Sequence, residues 1–312
     1  MKLMKDILKE KLGEECIDST KTFDLEIDSR NGPVNAIYDP YNRRLKLFDT
    51  TIADLASDEN LLLSLSSGLN FQVYTKLVVY ATGGRREMWH RHGFLREGMI
   101  KGFYDGSGNA ELWTCYQDYD RSTPDNQQAL NKKIEIARAR RFVEPSLKRG
   151  YKSEIATPDD AREIVKLMKL AFEDYPTPIG ITLFQKEMKA GDRMFRYIKN
   201  SGDEIVSVAS AEIDHERKNA ELTDCVTHTD ERGRGHMLYI LSELENDLER
   251  EHGITSTYSL TRAGEQGINN SFAGLGYMYT GRLFNNCRMP DGWESMNIWC
   301  RPARRGENDE KS

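Results

Sequence analysis

The chain of 312 residues has no apolar run approaching the ~20 residues of a membrane helix, so no membrane partner is expected. Its first residues, MKLMKDILKEKLGEE, lack both the apolar core of a signal peptide and the acid-poor character of a transit peptide. Cysteine is scarce and unpatterned. Cys16, Cys115, Cys225, Cys287 and Cys300 are odd in number and far apart, with no C-x-x-C. Reduced structural thiols in a cytoplasmic protein are the expectation, with no zinc site. The six histidines are scattered too; His90 and His92, two apart, would point to different faces of a helix, and no metal is expected. Basic charge is also short. Lys and Arg number 44 against 50 Asp and Glu, a net charge of −6, so no global field favours nucleic acid and any polyanion site must be local.

What is present is length enough for two domains. Residues 1–122 read as an α/β domain: a helix at 2–12, a hairpin turned at Arg30-Asn31-Gly32, a strand at 44–49, and one helix over 52–65 capped by Thr50 or Thr51. A buried strand at 76–81, a short helix ending at Gly93 and two more strands complete it. Residues 123–150 form a polar, charged helical linker, either bridging two domains or packed on the first, with a hinge at 145–150. Residues 151–302 begin with a strand, then Thr157-Pro158-Asp159-Asp160, which has the residue types of a helix start. Ala161, Ile164, Val165, Met168, Ala171 and Phe172 make that helix's apolar face, and Tyr175-Pro176-Thr177-Pro178 ends it. Strands and helices then alternate to 302, and 303–312 is a solvated, disordered tail.

The order β-α-α-β-β-β-α-β-α-β, with Arg232-Gly233-Arg234-Gly235-His236-Met237 between a strand and a helix, resembles the GNAT superfamily of N-acetyltransferases. The resemblance implies an α+β (α/β) chain whose second domain has a mixed, mostly antiparallel sheet flanked by helices. The first domain would be a degenerate half of the same kind, since RHGFLREGMIKGFYDG resembles the superfamily's Gly-Phe segment and last strands but lacks the glycine-rich loop. Acetyl-CoA would be the co-substrate. A helix start offers unpaired N–H groups and about half a positive charge to a pyrophosphate; glycines let the backbone approach, and arginines add charge. Met237 departs from the usual Gly or Ala. No P-loop and no G-x-G-x-x-G follows the first strand.

Further site residues follow from the same resemblance. Glu221, eleven residues before Arg232, is the first candidate for the base that deprotonates the amine, and Asp224 the second; three apart on a strand, they should face opposite sides. Cys225, Val226 and Thr227 would pair through their backbone with the pantetheine arm. Asn269 and Phe272 fall in the coenzyme region, and Phe272 stands where a tyrosine acid is usual. Strings such as Thr261-Arg262-Ala263, Gly267-Ile268-Asn269, Asn285-Asn286 and Glu294-Ser295-Met296-Asn297 are similar to the β-lysine N-acetyltransferase family. That likeness implies transfer of acetyl to the terminal amine of β-lysine, giving a compatible solute. Glu212, Asp224 and Glu294 would then receive the second ammonium, and Arg262, Asn285 and Asn286 the carboxylate. Tyr38, Tyr41 and Trp89 are candidates to line the amine groove from the first domain. A polyamine or amino sugar acceptor, or a non-catalytic acyl-CoA-binding module, are the competing readings, and a homodimer is one option for assembly.

Overall fold

The computed structural model describes residues 2–84, 86–117, 119–171, 179–289 and 292–301. Phe172, the Tyr175-Pro176-Thr177-Pro178 helix stop and the tail at 303–312 lie outside the described residues.

The first half opens with α1 (Met4–Leu12), followed by β1 (Phe23–Ser29), β2 (Gly32–Asp39) and β3 (Arg44–Thr50). Ser29 pairs with Gly32, leaving the two-residue turn Arg30-Asn31 that an Asn-Gly sequence favours. The helix expected over 52–65 is two helices, α2 (Ile52–Ser57) and α3 (Glu59–Asn70). Asp58 divides them because its carboxylate accepts from the Leu61 amide and caps α3. Then come β4 (Lys76–Ala81), α4 (Arg86–Arg91), β5 (Leu95–Tyr104), β6 (Gly108–Tyr116) and the single turn α5 (Tyr119–Ser122).

The polar helix α6 (Gln127–Arg138) neither bridges the halves nor packs on the first. It docks on the second: Ile134 and Ala137 join that core, Arg282 donates to the Leu130 carbonyl at 3.0 Å, and Lys133 donates to the Gly264 carbonyl at 2.5 Å. A charged helix with three buried positions reads as solvent-bridging because its docking rests on these polar contacts as much as on apolar ones.

The second half contains β7 (Lys152–Ile155), α7 (Ala161–Ala171), α8 (Ile181–Ala190), β8 (Arg193–Lys199), β9 (Ile205–Asp214) and β10 (Asn219–Thr227). It continues with α9 (His236–His252), β11 (Ser256–Arg262), α10 (Gln266–Gly274), β12 (Met278–Met289) and β13 (Gly292–Arg301). Thr157 and Asp160 form a reciprocal capping box ahead of α7, the Thr157 amide donating to the Asp160 carboxylate at 2.8 Å. Arg196 of β8 holds Asp247 of α9 through two buried contacts of 2.7 and 3.1 Å.

Among the described residues the strands form two sheets. The first has the order β1-β2-β3-β4-β6-β5; the second, written from its β7 edge, has β7-β8-β9-β10-β11-β13-β12. Each contains one parallel pair, β3 with β4 and β10 with β11. One face of the second sheet is covered by α9, α10 and α6 around Leu241, Leu244 and Trp299. Its other face is shared. Over β8–β10, α7 and α8 pack through Ile164, Met168 and Phe184 against Phe195 and Val208. Over β11–β13 the cover is the first sheet itself, with Val78, Tyr80, Ile100 and Leu112 against Leu283, Ile298 and Cys300.

The halves meet most closely where β5 crosses β12. A methyl group on Gly98 would come within 3.0 Å of the Gly281 Cα, and one on Gly281 would collide with the Glu97 carbonyl and the Gly98 Cα. Beside them Lys76, wholly buried, donates to Glu97 at 2.9 Å and to the Phe284 carbonyl at 2.7 Å, while the Phe284 amide donates to Glu97 at 3.1 Å. No described helix is long and apolar enough to cross a membrane.

Candidate active site

The parallel pair β10–β11 is short. It runs from Asn219 opposite Ser256 to Glu221 opposite Tyr258, and the Ser259 hydroxyl closes it by donating to the Leu222 carbonyl at 2.7 Å. Beyond this point β10 remains paired with β9 and β11 with β13, so the two strands part. The β11-facing edge of Thr223–Thr227 is thereby left for an extended ligand to pair with.

The loop after β10 lies at the open end of this wedge. Arg232 donates to the Thr227 carbonyl at 3.3 Å. Gly233 and Gly235 have φ of +77° and +86°, and a Cβ on either would meet nothing within 4 Å. Gly235 is the N-cap of α9 and no side chain caps that helix, so its first amides face outward. Tyr151 braces the loop from below: its hydroxyl donates to Glu231 at 2.7 Å and accepts from Arg234 at 2.9 Å, and its ring lies against buried His236. Burial holds His236 below its ordinary pKa, so at neutral pH it is an uncharged packing residue rather than a phosphate cation. Uncapped amides, two left-handed glycines with open space before them and the exposed guanidiniums of Arg232 and Arg234 fit the pyrophosphate of acetyl-CoA. Gly235→Ala should cost about 1–2 kcal/mol from the left-handed backbone. It should also weaken acetyl-CoA binding, read by calorimetric titration, with the melting temperature as the parallel readout.

Glu221 lies at the apex of the wedge. Directly across the β9 ladder is Glu212, and from the first half Lys46 is near enough to affect its charge. Burial and the Glu212 carboxylate push the Glu221 pKa up to about 7, while Lys46, Tyr258 and Arg44 pull it down. Burial raises Glu212 as well, and Asp224 adds to the rise. Both remain partly open to solvent. A carboxylate near pKa 7 at the apex of the wedge is suited to take a proton from an ammonium at neutral pH.

Asp224 is elsewhere than alternation predicts. The β10 register shifts between Thr223 and Val226, and Asp224 has a φ of +51°. This bulge turns its side chain to the same face as Glu221. There it accepts from Ser210 at 2.6 Å and from Arg193 at 2.5 Å, and Arg193 also holds Glu212 at 2.6 Å and Glu187 at 3.0 Å. Buried and ion-paired, Asp224 fixes the cluster instead of serving as a second base.

Several other expectations are corrected. Asn269 is buried with its side chain fully engaged: the oxygen accepts from Thr261, Asn297 and Trp299 at 2.8–2.9 Å, and the amide donates to the Arg262 and Glu265 carbonyls. It ties α10 to β11 and β13, with no atom left for coenzyme. Phe272 is wholly buried edge-on to Tyr277, whose hydroxyl is held by Thr257 and Glu245. Phenylalanine offers no proton donor at that position, and the Tyr277 hydroxyl beside it is taken up by Thr257 and Glu245. The expectation that Cys225, Val226 and Thr227 serve through their backbone alone needs no such change: the Cys225 thiol is packed on the α9 side and pushed well up by burial and by Asp224 and Glu221. Val226 is buried under α7 and Thr227 hydrogen-bonds Ser207 at 2.7 Å, so only their backbone can serve a ligand.

Arg262 and Glu294, expected at opposite ends of the substrate, pair with each other at 2.6 Å. Asn285 donates to the Asp120 carbonyl at 3.1 Å, and the Asn286 carbonyl accepts from Arg44 at 3.1 Å; both belong to the contact between halves. Tyr38 and Trp89 sit in the core on the far face of the first sheet. The residues that sequence reasoning missed are Lys46, Arg44, Arg193, Tyr80 and Tyr258. A lysine alternating with leucines on a strand carries the pattern of a solvent face, and only the second sheet turns that face inward.

No family model matches the chain. The β-lysine N(6)-acetyltransferase of Methanosarcina mazei is 34% identical over 252 residues, covering 72% of this chain and 90% of that protein. The N-acetyltransferase YodP of Bacillus subtilis is 28% identical over 270 residues, covering 85% and 94%. Among solved structures, a spermidine N-acetyltransferase from Vibrio cholerae matches 53% of this chain and all of its own at 10% identity and a TM-score of 0.44. The identity and coverage shared with the Methanosarcina enzyme establish that this chain, with its split parallel pair and glycine-rich helix start, belongs to the β-lysine N(6)-acetyltransferase family within the GNAT superfamily.

Proposed function

We propose that the chain transfers acetyl from acetyl-CoA to the terminal amine of β-lysine by direct attack of the amine. The observation that carries this reading is Glu221, a carboxylate tuned to about pH 7 at the apex of a wedge whose open end is an anion-binding helix start. When bound, acetyl-CoA supplies the activated thioester. The amides of Gly233–Met237, with Arg232 and Arg234, would hold its pyrophosphate, and the β10 edge would hold its arm. Glu221 accepts the proton from the attacking ammonium. Glu212 and Glu187, with Asp224 behind them, make the wall next to Glu221 acidic, which favours a second ammonium. The leaving thiolate departs without a tyrosine donor at position 272; its reference thiol pKa of ~8.5 permits that.

Thiol release measured with acetyl-CoA and β-lysine tests the reading. Turnover with β-lysine well above that with lysine, spermidine or an amino sugar is the expected result. Release with spermidine but not β-lysine would reassign the acceptor. A thermal shift with acetyl-CoA but no release with any amine would make the chain a binding module. A cytoplasmic location and a homodimer accompany this proposal; light scattering at twice the 35.8 kDa chain mass would establish the dimer.

A further inference from the structure

The two sheets share more than a strand order. Remove β7 and the orders coincide, including the position of the one parallel pair in each. Gly93, Phe94 and Gly98 recur at the same spacing as Gly276, Tyr277 and Gly281. The registers agree residue by residue. Trp113 lies opposite Arg96, and Leu112 opposite Gly98; Trp299 lies opposite Tyr279, and Ile298 opposite Gly281. One strand further in, Val78 pairs with Thr114 as Tyr258 pairs with Cys300. In the parallel pairs, Lys46 lies opposite Val78 as Glu221 lies opposite Tyr258. Lys46 therefore occupies in the first half the position that Glu221 occupies in the second. Gly98 and Gly281, which match in the two registers, touch one another, so the halves meet through corresponding strands, and Lys46 and Glu221 lie near enough to act on each other's charge.

Lys46 differs from the other cations of this interior. Arg44 pairs with Asp39 at 2.9 Å, Arg193 with three carboxylates, Arg217 with Asp49 and Asp214, and Arg262 with Glu294. Lys46 makes no hydrogen bond or ion pair with the described residues, yet it is half-buried on a strand whose neighbours Leu45 and Leu47 are core. Asp39 and Glu221 support its charge from beyond ion-pair distance, so the donors of this half-buried ammonium are left for a ligand to satisfy. An acetyl acceptor that is an amino acid carries a carboxylate beyond its reacting amine, whereas a polyamine carries none.

We infer that Lys46, contributed by the amino-terminal half, binds the carboxylate of the amino-acid acceptor and so sets the preference for amino acids over polyamines. This rests on the reading of the acceptor as β-lysine. The degenerate half thus keeps one working position of the fold, with its charge reversed. Glu221 addresses the amine from one half, and Lys46 addresses the acid from the other.

The test compares β-lysine with 1,4-diaminopentane, which has the same two amines and no carboxylate. On the alkaline plateau of the pH–rate profile, above the Glu221 midpoint that Lys46 itself lowers, Lys46→Met should raise the KM for β-lysine roughly 10–100-fold, the scale of a charge-assisted hydrogen bond, with kcat changed by less than about threefold. The loss on 1,4-diaminopentane should stay below about threefold, so that the preference for β-lysine collapses. Lys46→Arg should restore most of it. An unshifted melting-temperature response to acetyl-CoA certifies the fold of each variant. The pH–rate midpoint should rise in either case, because Lys46 lowers it; equal losses on both acceptors on the plateau would mean that Lys46 acts only through Glu221 and would overturn the inference. So would an unchanged KM for β-lysine. Failure of the wild-type protein to use β-lysine at all would instead sink the assignment of the acceptor.

Discussion

Glu221→Gln should lower kcat/KM for amine acetylation by roughly 10²–10⁴, the usual contribution of a positioned general base. Acetyl-CoA affinity should hold, because the helix start that fits the pyrophosphate lies beyond the open end of the wedge. The pH dependence carries more weight than the magnitude. With its pKa raised to about 7, Glu221 must lose its proton before it can accept one, so wild-type kcat/KM should rise with pH through about 7. The glutamine variant should lack that rise. An identical pH profile in both proteins would remove Glu221 as the base. Stability provides an independent check. An unfolded glutamate ionises near pH 4.3. Between there and about 7 the folded chain retains a proton that the unfolded chain has shed, so Glu221 costs stability progressively as pH rises across that window. The variant should therefore melt above the wild type at pH 8 and with it at pH 4, which separates lost chemistry from lost fold.

Glu97→Ala should be the most damaging single change between the halves, at about 3–5 kcal/mol. Glu97 accepts from Lys76, from Tyr116 and from the Phe284 amide, and Lys76 is wholly buried. Removing the carboxylate strands that ammonium with one carbonyl for company. A fall in melting temperature of roughly 10 °C is expected at this chain length. Replacing both partners, as Lys76→Met with Glu97→Leu, should recover most of the loss, because the penalty lies in the unpaired charge. A fall under about 2 °C for the single variant, or a double variant no better than it, would show that the pair is not what holds the interface.

Element types were largely legible because they depend on local chemistry. Thr157-Pro158-Asp159-Asp160 starts a helix on its own terms, and Asn31-Gly32 turns a hairpin. The Arg232–Met237 loop is weak as a string alone, and its place between a strand and an amphipathic helix is what marked it; there the structure has the uncapped start of α9. What depended on partners was not legible. Alternation puts Asp224 and Glu221 on opposite faces, and the bulge at Asp224 reverses that. Arg262 and Glu294 each look like half of a substrate site until β11 and β13 lie side by side and the two satisfy one another. Asn269 has the composition of a ligand contact, but five internal hydrogen bonds consume it. Lys46 could be found only by seeing that one sheet covers another.

The meeting of Gly98 and Gly281 has a consequence for how this protein can drift. Most packed contacts tolerate growth on one side if the opposite residue shrinks. Here both partners are already the smallest residue; Gly281 faces only main chain, which has nothing to give up, and Gly98 faces the main chain of Gly281 and Thr280 behind the end of the Ile298 side chain. Neither position can enlarge in exchange for a change at the other, so the spacing of the two halves has no adjusting screw. Differences between the halves, as where Lys46 stands opposite Val78 and Glu221 opposite Tyr258, have to be accommodated away from this point, in side chains that still have room to trade.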